Sequence, residues 1–226
     1  MSEDHKLTLL SRADYEKSFA EDLDALKKYA PEHKDTVYAI TVGSESLYRK
    51  SFTGPELMKL IQKTQKALPG FKVGTADSWN KFQDGTADAI ITGGVDIIMV
   101  NGFSYWQGQA DNNASATFFD DIAQAYGHIQ ELSKDRETPI ELWVGETGWP
   151  TKGNKYGDAL PGVKSAQNYW KKAICGAKTW GINVFFFSAF DEPWKPKSIG
   201  EDGTAADEAG WGAWTHDRKL KYDLSC

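Results

Sequence analysis

Cysteine, histidine and methionine are scarce: two, four and three of 226 residues. Two cysteines do not make a disulfide framework, so a buried core must hold the chain together. His5, His33, His128 and His216 are scattered without ligand spacing, so neither a metal nor another cofactor is expected. Long apolar runs are missing too: nothing approaches the roughly 20 residues that span a bilayer. The opening Met-Ser-Glu-Asp-His-Lys lacks the charged-then-apolar profile of a secretory signal. There is no basic excess. With 26 Lys and Arg against 32 Asp and Glu, a net charge of −6 and a pI near 5.3, the chain would repel nucleic-acid phosphates. A neutral polysaccharide imposes no such penalty.

What the chain does have is aromatic rings and alternation. Nine Trp, nine Tyr and eleven Phe suit sugar-stacking platforms, and equally a large core. Residues 6–10 read as a short strand, and 14–30 as an amphipathic helix with Tyr15, Phe19, Leu23 and Leu26 in phase, ended by Pro31. Strands are expected at 37–42, 71–75, 95–100 and 141–144, with helices at 53–68, 117–132 and 165–180. Thr53-Gly-Pro-Glu56 has the form of a capping box. The apolar run 182–187 predicts a strand buried on both faces. Residues 197–208 read as a mobile loop. No repeat, low-complexity tract or linker appears, so residues 1–226 read as a single domain. Strands alternating with helices, with polar and aromatic residues gathered after strand ends, predict an α/β fold of (β/α)8 TIM-barrel type. About six strands are present; eight would need two more βα units ahead of residue 6.

The chemistry centres on Glu141-Leu-Trp-Val-Gly-Glu-Thr-Gly-Trp-Pro150. A short strand with a Trp in it delivers Glu146 to its C-terminal end, where Gly145 admits close backbone approach. Pro150 then biases Trp149 away from helix, forcing a turn. A carboxylate flanked by Trp suits a sugar ring; the stretch alone fits a structural ion pair equally well. A second stretch repeats the layout: the strand at 37–42, then Gly43, Ser44 and Glu45. The two glutamates are separated by 101 residues, about three βα units of roughly 30 residues each. Strands that far apart in a barrel still aim at one cleft. Glycosidases need such a pair, one carboxylic acid to protonate the leaving oxygen and one carboxylate to attack or to activate water.

Val42-Gly-Ser-Glu-Ser-Leu-Tyr-Arg49 and Trp143-Val-Gly-Glu-Thr-Gly-Trp-Pro-Thr151 resemble the two catalytic signatures of glycoside hydrolase family 17, most closely its fungal cell-wall branch. Supporting blocks are Gly74-Thr-Ala-Asp-Ser-Trp79, Val100-Asn-Gly-Phe-Ser-Tyr-Trp-Gln-Gly108, Ala189-Phe-Asp-Glu-Pro-Trp-Lys-Pro196 and Gly210-Trp-Gly212. The resemblance implies a retaining enzyme on β-1,3-glucan or laminari-oligosaccharides, either a glucanosyltransferase or an endo-glucanase, secreted to the cell wall. It makes Glu45 the acid/base, its pKa raised by the Glu146 anion, and Glu146 the nucleophile. It also agrees that the first two barrel units have no counterpart here, which keeps open a truncated, silent relative that only binds glucan.

The family's pattern extends to further residues. Glu192 and Lys195 are expected to bond donor-sugar hydroxyls, the other reading being a surface ion pair. Asn101 and Tyr105 resemble the family's substrate-contacting pair. Tyr48, Trp106 and Gln107 are candidates for the acceptor side, with Trp106 as core nearly as good a reading. Trp149 and Trp211 are expected to wall the site, and Asp77 and Trp79 stand at a strand end. Ser188 departs from the branch, which often has Glu there. Cysteines placed like Cys175 and Cys226 pair in the branch; the other reading is two buried thiols. The oligomeric state is left open.

Overall fold

The computed structural model describes residues 12–199 and 205–226. Helix α1 (Arg12–Tyr29) runs into a 3-10 turn at Ala30–His33, with Pro31 in its first turn where a missing N–H costs nothing. Leu23 from α1 is buried with Ile40 and Leu68 in a small cluster apart from the main core. Strand β1 (Ala39–Ser44) leads to α2 (Gly54–Ala67), where the capping box forms as expected: the Thr53 N–H donates to Glu56 Oε2 at 2.9 Å. Leu57, Met58 and Ile61 fill one face of α2.

Strand β2 (Lys72–Ser78) is followed by two short helices, α3 (Trp79–Gln83) and α4 (Asp88–Ile91). Neither has the length for periodicity to reveal it, yet Phe82, Ile90 and Ile91 are fully buried. Next come β3 (Ile97–Asn101), α5 (Ala114–Ser133) and β4 (Glu141–Thr147). The helical course expected at 165–180 is α6 (Val163–Tyr169), a π-helical stretch Trp170–Ile174 and α7 (Cys175–Thr179). Strand β5 (Val184–Phe186) completes the sheet. Cys175 is disulfide-bonded to Cys226, fastening the tail to the start of α7.

All four pairings are parallel and the strands lie in sequence order, β1-β2-β3-β4-β5. A doubly wound sheet would reverse order at a switch point; sequential order is the wall of a (β/α) barrel. The helices cover the outer side. There Val42, Val73, Ile98, Val100 and Val144 meet Ile61, Phe118, Ile122 and Ile129, each fully buried side chain stabilising by roughly 1.5–3 kcal/mol. The concave side carries smaller residues, including Ala39, Thr41, Ala76 and Gly145, around a cavity of about 430 Å³.

Two expectations change. The run 182–187 is not buried on both faces: Phe185 is 52% exposed, because β5 pairs with β4 alone among the described residues and its ring faces the concave side. Part of the stretch read as a mobile loop is ordered as an antiparallel ladder of β6 (Ser198–Ile199) with β7 (Ala205–Ala206); residues 200–204 lie outside the described ones. The strand read at 6–10 lies outside them as well. Among the described residues no helix is long and apolar enough to cross a membrane.

Candidate active site

The C-terminal ends of β1 to β4 gather the site. After β1 the chain turns at Gly43 (φ 78°) and Glu45 (φ 51°). A glutamate in the left-handed region is costly and persists only where its surroundings hold it. Here the Glu45 N–H donates to Ala76 O at 2.9 Å. Asp77, at the end of β2, clamps the rest of the turn. Its carboxylate accepts the N–H of Leu47 at 2.8 Å, of Tyr48 at 3.1 Å and of Ser78 at 2.9 Å. Burial pushes the Asp77 carboxyl above its ordinary range; the three N–H bonds work against this, and the Glu45 charge adds to it.

Asn101 joins the two glutamates. It ends β3, is buried, and its Nδ2 donates to Glu45 Oε1 at 3.2 Å. In the ladder it is the partner of Glu146, whose carbonyl accepts the Gly102 N–H at 2.9 Å. Gly145 makes this seat possible, since a Cβ there would lie 2.6 Å from Asn101 Oδ1 and 2.9 Å from Met99 Cβ. Asn101 Oδ1 is itself buried and without a hydrogen-bond partner among the described residues. Gly148 serves the turn after β4 in the same way: a Cβ would stand 1.9 Å from Phe187 O.

Glu146 opens onto the concave cavity beside Met99 and Phe187. Its carboxyl takes no hydrogen bond or ion pair among the described residues. Its pKa is raised to about 7, first by burial and then by the Glu45 charge, with Arg49 and Lys195 opposing. Position accounts for the raised carboxyl: Glu146 sits inside the sheet's concavity. Glu45 has the Arg49 guanidinium at 3.3 Å. Two carboxyls that feel each other's charge favour holding one proton between them.

Lys195 lies over the Phe187 ring, 4.7 Å from its centroid, and pairs with Glu208 at 2.9 Å and Glu192 at 3.6 Å. The expected Glu192–Lys195 couple is thus a three-membered cluster. Glu208, which also acts on the Glu146 charge, was missed. It falls at the end of the stretch read as a loop, with no motif around it.

Three rings assigned to the substrate are core instead. Trp149 and Trp211 are 0% exposed and Tyr105 2%, so no sugar face can lie against them. Tyr105 packs edge-on against both indoles, and its hydroxyl donates to Asn154 O. The Trp149 Nε1 donates to Leu160 O at 3.0 Å. Trp106, partly buried, stacks on Trp211 at 5.3 Å. The Gln107 amide is turned to α5, where it donates to Asp121 Oδ2 at 2.5 Å. Tyr48 stays partly buried beside Glu45, and Trp79 packs against the core. Ser188 donates to Phe190 O at 3.0 Å.

One carboxyl on the concave cavity and a second after another strand, joined through Asn101 at the C-terminal rim of a parallel barrel wall, define a glycosidase-type enzyme. The chain belongs to the BtgE/BtgC glycoside hydrolase domain family, whose pattern it matches over residues 5–212. It is 50% identical to a glucan 1,3-beta-glucosidase of Arthroderma benhamiae, covering all of this chain and 73% of that protein. Among solved structures it is similar to a glycoside hydrolase family 17 beta-1,3-glucanosyltransferase from Rhizomucor miehei, with a TM-score of 0.78 and 27% identity over 93% of this chain and 73% of that one. An active-site mutant of the Rhizomucor enzyme in complex with laminaritriose matches at a TM-score of 0.77, with the same identity and coverage.

Proposed function

We propose that this chain is a retaining β-1,3-glucan-active glycosidase in which Glu146 attacks and Glu45 handles the proton. The observation that carries the reading is Asn101: one buried residue whose side chain is bonded to Glu45 and whose backbone position pairs in the ladder with Glu146. The Glu146 carboxylate forms an ester to the anomeric carbon as the glycosidic bond breaks, and Glu45 protonates the departing oxygen. Glu45 then takes a proton from the incoming water or sugar hydroxyl, which displaces Glu146 and keeps the configuration. Water gives hydrolysis; a sugar hydroxyl gives transfer.

Glu192, Lys195 and Glu208 supply charged hydrogen bonds to sugar hydroxyls beside Glu146, and the partly exposed Trp106 and Tyr48 are left as acceptor-side contacts. The single-domain reading over residues 1–226 is part of this proposal. So is action outside the cell on wall glucan, which the Cys175–Cys226 disulfide supports, since such bonds persist in oxidising compartments.

Laminaripentaose is the test substrate. Products both longer and shorter than five sugars are expected if transfer operates, and only shorter ones if hydrolysis does. A folded protein that binds the oligosaccharide by calorimetry and yields neither would be a silent glucan-binding relative, contradicting the proposal.

A further inference from the structure

Three stretches carry the groups around Glu146: the turn after β4, the segment after β5 that holds Glu192 and Lys195, and the segment from Glu208 to Trp214. One ammonium ties all three. Lys221 Nζ donates to Thr151 Oγ1 at 2.6 Å, to Asp191 Oδ1 at 2.6 Å and to Gly210 O at 3.4 Å. Both charges are buried, the Lys221 side chain 9% and the Asp191 side chain 6% exposed. Asp191 Oδ1 also accepts the Gly212 N–H at 3.1 Å.

The tail holds this ammonium in place. The Lys221 N–H donates to Ala213 O at 3.0 Å, and Trp170 Nε1 donates to Leu224 O at 3.0 Å. Lys171 grips Asp223 at 2.8 Å, and the last residue is fixed by the disulfide to Cys175.

Burying an ion pair costs desolvation that its attraction often fails to recover, so an apolar pair would serve stability as well. What a lysine adds here is three donors on one point charge, each directed at a different stretch. We propose that Lys221 is a positioning residue for the active site: its ammonium fixes the three stretches so that Lys195 and Glu208 stay beside Glu146, and the disulfide-held tail keeps it there. This rests on the reading of Glu146 as the nucleophile.

The test compares Lys221→Met with the double variant Asp191→Asn/Lys221→Met. Three quantities are read: Tm, kcat/KM on laminaripentaose, and the Glu146 carboxyl titration by 13C NMR. The single variant leaves the buried Asp191 carboxylate with only the exposed Lys152 ammonium at 3.5 Å and the Gly212 N–H, and loses stability and activity together. The double variant removes both charges, so its Tm returns to within about 3 °C of wild type. Its kcat/KM should stay about tenfold to a hundredfold down, since displacement of supporting groups is costly, and its Glu146 midpoint should move away from the wild-type value, since Glu208 and Lys195 both act on that carboxyl.

A double variant with wild-type kcat/KM and an unmoved midpoint would overturn the proposal. Should neither variant fold, Thr151→Val removes one of the three ties without changing charge, and an unmoved Glu146 midpoint there overturns it equally. Wild-type protein inert toward laminaripentaose would instead strike the reading of the site, while the Glu146 titration would still decide the role of Lys221.

Discussion

Glu141 and Glu146 lie toward opposite ends of strand β4 and meet opposite surroundings. At the start of the strand, Glu141 accepts Tyr38 Oη at 2.6 Å, Lys72 Nζ at 2.6 Å and Trp143 Nε1 at 2.8 Å. Burial opposes its charge, but these three bonds and the Lys72 cation outweigh it and hold the carboxyl below its ordinary range. At the other end Glu146 has burial and no bonded donor among the described residues. Its pKa rises to about 7. The same side chain is a satisfied structural anion at one end of the strand and an under-satisfied carboxyl at the other. In a parallel barrel the two ends divide in the same way: the N-terminal rim carries stability and the C-terminal rim carries chemistry.

The largest effect that could break this comparison is on turnover. Glu146→Gln should lower kcat on laminaripentaose by about 10⁴ or more, as expected when a nucleophile is removed. Glu141→Gln should leave kcat/KM within about threefold, since it touches only the far rim. Equal losses in the two variants would dissolve the distinction.

A smaller effect lies in pH dependence. For the free enzyme, kcat/KM should fall as pH drops through about 7, because Glu146 must be ionised to attack. Lys195→Met removes a cation that lowers the Glu146 pKa and leaves Glu208 unpaired beside it, so the acid limb should move to higher pH. A limb unmoved by Lys195→Met would detach that cluster from Glu146.

Stability gives the smallest and most opposed pair. Glu146, raised from 4.5 to about 7, holds its proton more tightly in the folded chain. Its contribution is complete below the unfolded value and is lost as pH rises through 7. Glu146→Gln should therefore be more stable than wild type at pH 8, by on the order of 2 kcal/mol, and nearly neutral at pH 4.5. Glu141 has the reverse sign: its contribution is present above its ordinary 4.5 and lost as pH falls below it. Glu141→Gln should cost about 1 kcal/mol at pH 7 and little at pH 3, read by urea unfolding.

Glu146 and Glu45 could both be singled out from the sequence and given roles; Glu141, in the same stretch, could not. Strand, glycine, carboxylate and turn marked Glu146 and Glu45, because backbone chemistry is local: Gly145 and Pro150 announce what they do. Helices α2 and α5 were legible for the same reason, since an apolar stripe at helical spacing is a local signal. Contacts across tens of residues leave no such trace. Nothing in the sequence says that Asp77 clamps the Glu45 turn, that Gln107 faces α5, or that Lys221 reaches Asp191. Aromatic residues misled most. Trp149 and Trp211 sit in site motifs, and they are buried behind the site because large rings support loops as readily as they bind sugars. Glu208 was hidden in a Gly-, Ala- and Asp-rich stretch whose composition signals a loop and nothing about its charge.

Glu146, and not Glu45, is expected to become covalently linked to the sugar. A 2-deoxy-2-fluoro laminaribioside with a good leaving group should trap that ester, and peptide mass spectrometry of the digested protein would locate it. One adduct is expected, on the peptide that carries Glu146, and it should form in Glu45→Gln as well, since a good leaving group departs without the acid. An adduct on the Glu45 peptide, or turnover with inverted configuration and no adduct at all, would contradict it.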